Sequence, residues 1–419
     1  MNVVDDTVVR MTIPSVDVQF LMGHIDRCEV LSDDGEMADV VVYWGVPEMQ
    51  RLVRMYGDAP NPMLKEYKWP GMYQPFAHQK VTASYLSLRE RAFCFNEAGT
   101  GKTSSVIWAA DYLMQLGIIK RVLVICPLSI MYSAWQADIF KTAMHRSVAV
   151  AYGDANKRRK IINGEYEFVI INFDGVNIVQ EDISKVGFDL IVVDEANAYK
   201  TVTTKRWKTL AKLIMPSTRL WMLTGTPASQ SPMDAFGLAK LVNPQGVPKY
   251  VTAWRDRVMM QLSRFKWIPK KTSKTDVFSA LQPAIRYAKA DCLDLPSIVH
   301  QTREVPLTPQ VSKFYRALKD QMLIEAAGEQ ISAVNAAAQL SKLLQISGGA
   351  LYTDTKEVVE FDVSPRLNTL MEVLDETENK VIVFVPFRHT IDLVSRHLNT
   401  QGVVNEIING DVPARERAE

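Results

Sequence analysis

Two short stretches of this chain carry residue types suited to phosphate chemistry. In Phe95-Asn96-Glu97-Ala98-Gly99-Thr100-Gly101-Lys102-Thr103, Gly99 and Gly101, with Thr100 between them, let backbone N–H groups turn inward around an anion. A helix starting there adds the partial positive charge of its N-terminus. Lys102 is placed to reach β- and γ-phosphates, and the Thr103 hydroxyl to ligate Mg2+. The strict pattern has one more glycine six places before the lysine, where this chain has Asn96. The second stretch is Asp194-Glu195-Ala196-Asn197. Asp194 is suited to hold Mg2+ through water, and Glu195 to orient or deprotonate an attacking water. Either stretch alone is a common pattern. In this order, each after a strand, they predict ATP and Mg2+ at one site and an ATP-driven motor. In Leu223-Thr224-Gly225-Thr226-Pro227, the hydroxyls of Thr224 and Thr226 flank a turn and can sense phosphate state.

The elements that must position these groups follow from the apolar runs. Strands are expected at 91–95, 122–126, 168–171, 190–193 and 220–223. Helices are expected from Ser104 to Leu116, ended by Gly117, and from Ser129 to about Lys141. Continuous apolar runs alternating with helices predict a parallel sheet covered on both faces, with catalytic groups at the C-terminal strand ends. Residues 1–70 read as a small α+β unit, with a strand at 38–44 and a helix from Pro47 to Tyr56. Residues 71–245 form the ATP-binding lobe, 246–295 an irregular basic linker, and 296–419 a second α/β lobe. In that lobe strands are expected at 380–385 and 405–408, a helix from His389 to Leu398, and another beginning at Pro413.

Taken together, the motifs resemble the first motor lobe of superfamily 2 helicases, and in detail the Swi/Snf-type group of double-stranded DNA translocases. That group's phosphate loop also lacks the leading glycine. Pro75-Phe76-Ala77-His78-Gln79 is similar to its upstream glutamine motif, which implies Gln79 as adenine reader. Cys126-Pro127-Leu128-Ser129 with Trp135 resembles motif Ia, and Asn172-Phe173-Asp174 stands where motif Ib is expected. The resemblance therefore implies DNA contacts at Pro127, Ser129, Trp135 and Asn172. Leu223 to Pro227 resembles motif III. Asp291-Cys292-Leu293-Asp294-Leu295-Pro296 and Val305-Pro306-Leu307-Thr308-Pro309 resemble the lead-in to the second lobe, Val381 to Phe387 motif IV, and Asn409 to Arg417 the segment after it. The resemblance spans roughly residues 71–419. It implies tandem RecA-like lobes, the second incomplete, and a monomeric motor of phage or bacterial style. The chain departs from the group at Asn197, where His is usual and couples the acidic motif to Thr224. It also ends before motifs V and VI, the second of which carries arginine fingers. The expectation is a truncated chain that binds ATP and hydrolyses it weakly.

Bulk charge names no partner: the net charge is +1, with 47% hydrophobic and 23% charged residues. A nucleic-acid surface must come from local clusters. Candidates are Lys157 to Lys160; Lys200, Lys205, Arg206 and Lys208; and Arg264, Lys266, Lys270, Lys271 and Lys274 with Phe265 and Trp267 interleaved. The second is favoured because it follows the acidic motif directly, as a basic segment does in the Swi/Snf-type group. Trp221 reads as core. The four cysteines are scattered and read as reduced thiols, and the six histidines show no ligand spacing. No secretory leader and no membrane-length apolar run is present, so a cytoplasmic, nucleoid-associated protein is expected, in the host cytoplasm if phage-encoded. The reading is an ATP-dependent helicase or translocase on double-stranded DNA, with little sequence specificity. The alternatives are an RNA helicase and an ATP-gated DNA-binding module without catalysis.

Overall fold

The structure is a computed structural model in which residues 1–264, 266–328, 333–352 and 357–412 are described. They divide into two compact units, Met1–Leu295 and the chain from Pro296 onward.

The first unit opens with a four-stranded antiparallel sheet. Its strands are β1 (Asn2–Val4), β2 (Val8–Pro14), β3 (Cys28–Asp33) and β4 (Met37–Tyr43), in the order β1-β2-β4-β3. Alternation along β2 sends Val9, Met11 and Ile13 inward and leaves Arg10, Thr12 and Pro14 outside, as a half-covered sheet requires. The Val46–Tyr56 helix follows, with Pro47 in its first turn and Gly57 in the left-handed conformation after its end. The apolar faces of this region share one continuous core with Trp108, Ala109 and Leu113 of the Lys102–Gln115 helix. Polar ties reinforce the seam: Gln50 donates to the Ser87 carbonyl at 2.8 Å and accepts from Arg219 at 3.1 Å.

The next strands are β5 (Arg91–Cys94), β6 (Val122–Cys126), β7 (Val148–Val150), β8 (Phe168–Asn172), β9 (Leu190–Val193) and β10 (Arg219–Leu223). After a small antiparallel hairpin, β11 (Met259–Ser263) with β12 (Lys266–Pro269), comes β13 (Ala284–Ile285). The seven-stranded sheet runs β13-β5-β10-β9-β6-β8-β7, and each of its pairings is parallel. Successive side chains of β6 enter different cores: Val122, Val124 and Cys126 on one face, Leu123 and Ile125 on the other. Two covered faces explain why these strands are apolar without alternation. This is the α/β, RecA-like arrangement expected of the ATP-binding lobe.

Two local differences from the sequence reading have physical causes. The helix expected over 129–141 is broken into a tight turn (Leu128–Ile130), a wide π-type turn (Met131–Gln136) and an α-helix (Ala137–Thr142). The wide turn rotates Trp135 inward, where it is fully buried. The linker over 246–295 is not irregular. It holds the Val251–Val258 and Ser273–Ala280 helices, the basic hairpin and the edge strand β13. A two-residue strand carries too little periodicity to be read, and only the neighbouring β5 reveals it.

In the second unit, the helices Pro309–Gly328, Ala333–Gly348, Ser364–Asp375 and Arg388–Thr400 accompany a two-stranded pair, β14 (Ala350–Tyr352) and β15 (Val358–Glu360). Val311, Ile346, Phe361, Val363 and Leu393 form its core. The strands expected at 380–385 and 405–408 carry no ladder. Phe384 is 90% and Ile408 72% exposed. An apolar run becomes a strand only when a neighbour takes its backbone hydrogen bonds, and among the described residues neither run has one. The helix expected from Pro413, and Phe265 of the third basic cluster, lie outside the described residues.

Candidate ATP site

The register of the parallel sheet gathers the groups expected to handle phosphate. Leu223 is level with Cys94 across β10 and β5, and Met222 is level with Val193 across β10 and β9. The chain therefore leaves three adjacent strands at one height. Their next residues are the Phe95–Gly101 loop, Asp194-Glu195 and Thr224. This is the crevice at carboxyl strand ends where open α/β sheets bind ligands.

Gly101 closes the loop in the left-handed conformation, φ 74°, immediately before the Lys102–Gln115 helix. A Cβ there would meet the movable amide end of Gln79, so it is the backbone conformation that calls for glycine. Gln79 donates to the Thr100 carbonyl at 3.3 Å and accepts the Phe76 N–H at 2.9 Å. His78 reaches the same Thr100 carbonyl at 2.8 Å. Thr100 is nearly fully buried, and its hydroxyl donates to the Glu97 carbonyl at 2.8 Å. The Lys102 ammonium arches back to that same carbonyl at 3.2 Å, at the head of the loop. Thr103 stands half-buried on the first helical turn.

Asp194 is 8% exposed and holds two donors: Trp135 Nε1 to Oδ2 at 2.9 Å and the Glu195 N–H to Oδ1 at 2.9 Å. Burial pushes its carboxyl up from the usual range, and these donors and the Lys102 charge oppose that rise. Glu195 is exposed, and its backbone lies at φ 51°. A non-glycine residue there is held against its preference. Its carboxyl is also raised, by desolvation and then by Asp194. The Asn197 amide donates to Thr224 Oγ1 at 3.2 Å, the Thr226 carbonyl at 2.9 Å and Thr226 Oγ1 at 3.3 Å. Asn thus links the acidic motif to the threonine turn where His was expected. Its Oδ1 is buried and, among the described residues, accepts no hydrogen bond.

The residues suit a nucleoside triphosphate with Mg2+. A glycine loop opens onto a helix N-terminus, a lysine stands at its head, and a buried carboxylate, a hydroxyl and an unsatisfied amide oxygen lie around it. Mg2+, when bound, neutralises phosphate charge and polarises the phosphoryl group.

The residues expected to meet DNA are divided by the fold. Ser129 is exposed and Pro127 half-buried. Trp135 does not reach solvent, so its place among the DNA contacts is corrected: it fastens Asp194. Asn172 Oδ1 accepts from Arg158 at 2.9 Å. Arg158 is itself buried and also donates to the Ala151 and Gly153 carbonyls, while Arg159 pairs with Asp182. Within the 157–160 run, Arg158 is therefore a structural clasp, while Lys157, Arg159 and Lys160 are exposed. Lys200 is held by Gln230 and Asp234. Arg206 pairs with Asp174 and lies over the Phe173 ring. Lys205 and Lys208 face solvent. Trp221 is core, its indole donating to the Arg89 carbonyl at 3.0 Å.

The SNF2-related domain matches residues 78–349, well over half of the chain. The chain belongs to the SNF2-related domain family. This SNF2-family core is 26% identical to protein p41 of Acyrthosiphon pisum secondary endosymbiont phage 1, over 76% of this chain and 74% of p41. It is 24% identical to mouse chromodomain-helicase-DNA-binding protein 1-like, over 77% of this chain and 37% of that protein. It is 22% identical to the Drosophila melanogaster SWI/SNF-related matrix-associated actin-dependent regulator of chromatin subfamily A-like protein 1, over 84% and 45%. The chain thus spans less than half the length of these two animal relatives. Among solved structures, the Sulfolobus solfataricus SWI2/SNF2 ATPase core in complex with dsDNA is 20% identical, with a TM-score of 0.49, covering 80% of this chain and 71% of that one.

Sequence reasoning missed what braces the phosphate loop of this SNF2-family core. Asn96 is fully buried, donating to Thr82 Oγ1 at 2.9 Å and accepting the Tyr287 N–H at 3.0 Å. Where the strict motif has glycine, this chain uses a side chain that binds the loop to two distant segments. The signal was the substitution itself; its partners lie far along the chain.

Proposed function

We propose that this chain is an ATP-driven motor core that couples hydrolysis to movement along double-stranded DNA. The observation that carries it is the parallel register that sets Cys94 level with Leu223 and Val193 level with Met222, so that phosphate loop, acidic pair and threonine turn follow at the same end of the sheet. In this reading Gly99, Thr100, Gly101 and Lys102 hold the phosphates and Gln79 orients the base. Thr103 and Asp194 hold Mg2+, and Glu195 prepares the water. Asn197, Thr224 and Thr226 carry the state of the site outward. The two units would approach with nucleotide bound and separate after hydrolysis. Support for DNA is the relationship to a DNA-binding helicase of mouse, together with the exposed Ser129, Lys205 and Lys208. Contacts of this kind go to phosphates and carry little sequence preference.

The test is the rate of ATP hydrolysis with Mg2+, alone and with duplex DNA, single-stranded DNA or RNA, for the unaltered chain and for Lys102→Ala. Stimulation by duplex DNA that is lost in Lys102→Ala supports the motor. Stimulation by RNA alone would replace it with an RNA helicase. Nucleotide-dependent DNA binding without hydrolysis would replace it with an ATP-gated binding module.

A further inference from the structure

Beside the phosphate loop runs a segment from the far end of the first unit. The Phe93 N–H donates to the Pro283 carbonyl at 2.9 Å, the Phe95 N–H to Ile285 at 2.8 Å and the Glu97 N–H to Tyr287 at 3.0 Å. The pairing of β13 with β5 thus continues past the strand and along the loop. It ends where the Lys289 N–H donates to Glu97 Oε2 at 2.9 Å, with the Arg286 guanidinium 4.0 Å from Oε1. Glu97 is therefore occupied by the backbone of Lys289 and the side chain of Arg286. The Lys289 ammonium is turned elsewhere. It lies 3.6 Å, and its Cε 3.5 Å, from the point where a Cβ on Gly99 would stand. The ammonium is solvent-exposed and, among the described residues, has no hydrogen-bond or ion-pair partner.

We infer that Lys289 is a second phosphate-binding cation of the ATP site, delivered to the Gly99 side of the loop while Lys102 covers its head. The inference rests on the nucleotide reading above and deepens it. An unpaired ammonium beside a loop built to hold an anion gains a charge-assisted hydrogen bond when that anion arrives. Lysine suits the place: a compact charge on a long stem reaches an oxygen from an anchored backbone. Glu97 is the positioning residue, since its carboxylate fixes the Lys289 backbone. Asn96 fixes the neighbouring Tyr287. Lys289 lies six residues before Leu295, where the first unit ends, so phosphate contact would bear on the segment leading to the second unit.

The experiment is equilibrium binding of a fluorescent ATP and a fluorescent ADP, with Mg2+, across a salt series. It uses the unaltered 419-residue chain, Lys102→Ala, Lys289→Ala and Lys289→Arg, with thermal midpoints as a control of folding. Lys289→Ala is expected to weaken binding about tenfold and to flatten its salt dependence. Lys289→Arg should recover most of the loss, and the midpoints should stay together. If Lys102→Ala loses nucleotide while Lys289→Ala binds within twofold of the unaltered chain, the role of Lys289 is overturned and the nucleotide site stands. If neither substitution affects binding, the nucleotide reading falls and this inference falls with it. A loss in Lys289→Ala that tracks a lowered midpoint and is not recovered by arginine assigns Lys289 to structure alone and overturns the proposal.

Discussion

Replacing Trp135 by Phe separates the two roles this residue can be given. Its indole is fully buried, and Nε1 donates to Asp194 Oδ2 at 2.9 Å. Phe keeps most of the ring but removes the N–H. Asp194 is 8% exposed, and its other donor, the Glu195 N–H, goes to Oδ1, so Oδ2 loses its protein donor in a place water enters poorly. A hydrogen bond to a charged group contributes about 1.5–3 kcal/mol, which corresponds to roughly 10- to 100-fold in a step that needs this carboxylate in place. The smaller ring also leaves space behind, at a cost below the roughly 3–5 kcal/mol of truncation to Ala. The assay is single-turnover ATP hydrolysis, corrected for the folded fraction from a denaturant titration, beside DNA affinity without nucleotide. Hydrolysis should fall by that factor with DNA affinity unchanged. A cycle with Asp194→Asn should be strongly non-additive, because the indole acts through that carboxylate. Unchanged hydrolysis with weakened DNA binding would refute the reasoning and return Trp135 to the DNA surface. An additive cycle would show that the indole does not act through Asp194.

Glu195→Gln should leave ATP affinity nearly intact and reduce turnover by at least about 100-fold, as expected for loss of a general base; turnover within a few-fold of the unaltered chain would remove Glu195 from the chemistry. Asn197→Ala deletes the amide that spans Thr224 and Thr226, so basal hydrolysis should persist while stimulation by duplex DNA is lost, read as the ratio of the two rates. Arg158→Met should cost about 1–3 kcal/mol of stability, because the Ala151 and Gly153 carbonyls lose a buried donor, with little change in DNA affinity at matched folded fraction. Lys205→Ala should do the reverse: unchanged unfolding, weaker binding, and a salt slope reduced by about 1.

The proposed phosphate site is legible from residue order because such chemistry is local. A loop that wraps an anion needs its glycines, lysine and hydroxyl within a few positions, so the motif survives as a string of letters. The strands β6 and β9 were legible to the residue, since a strand buried on both faces must be apolar throughout. The expectation at 380–385 shows the limit of that logic: apolar composition names a candidate strand, and only a neighbour completes it.

Tertiary structure decided the rest, by one physical route. A side chain's role depends on what stands within hydrogen-bonding distance, and the fold sets that across long stretches of chain. Trp135 looks like a surface aromatic after motif Ia until a wide helical turn buries it against Asp194, 59 positions away. Arg158 reads as part of a basic face until it is found inside, bonded to the backbone. Asn96 reads only as a place where the loop lacks a glycine until it is seen holding Tyr287, 191 residues on. Asn197 weakens a familiar pattern in the sequence, yet the register of β9 and β10 sets its amide against both threonines. Residue order alone carried the proposal that the chain handles phosphate. The parallel register and the packing of the sheet determined which of its other residues serve that site and which serve only the fold.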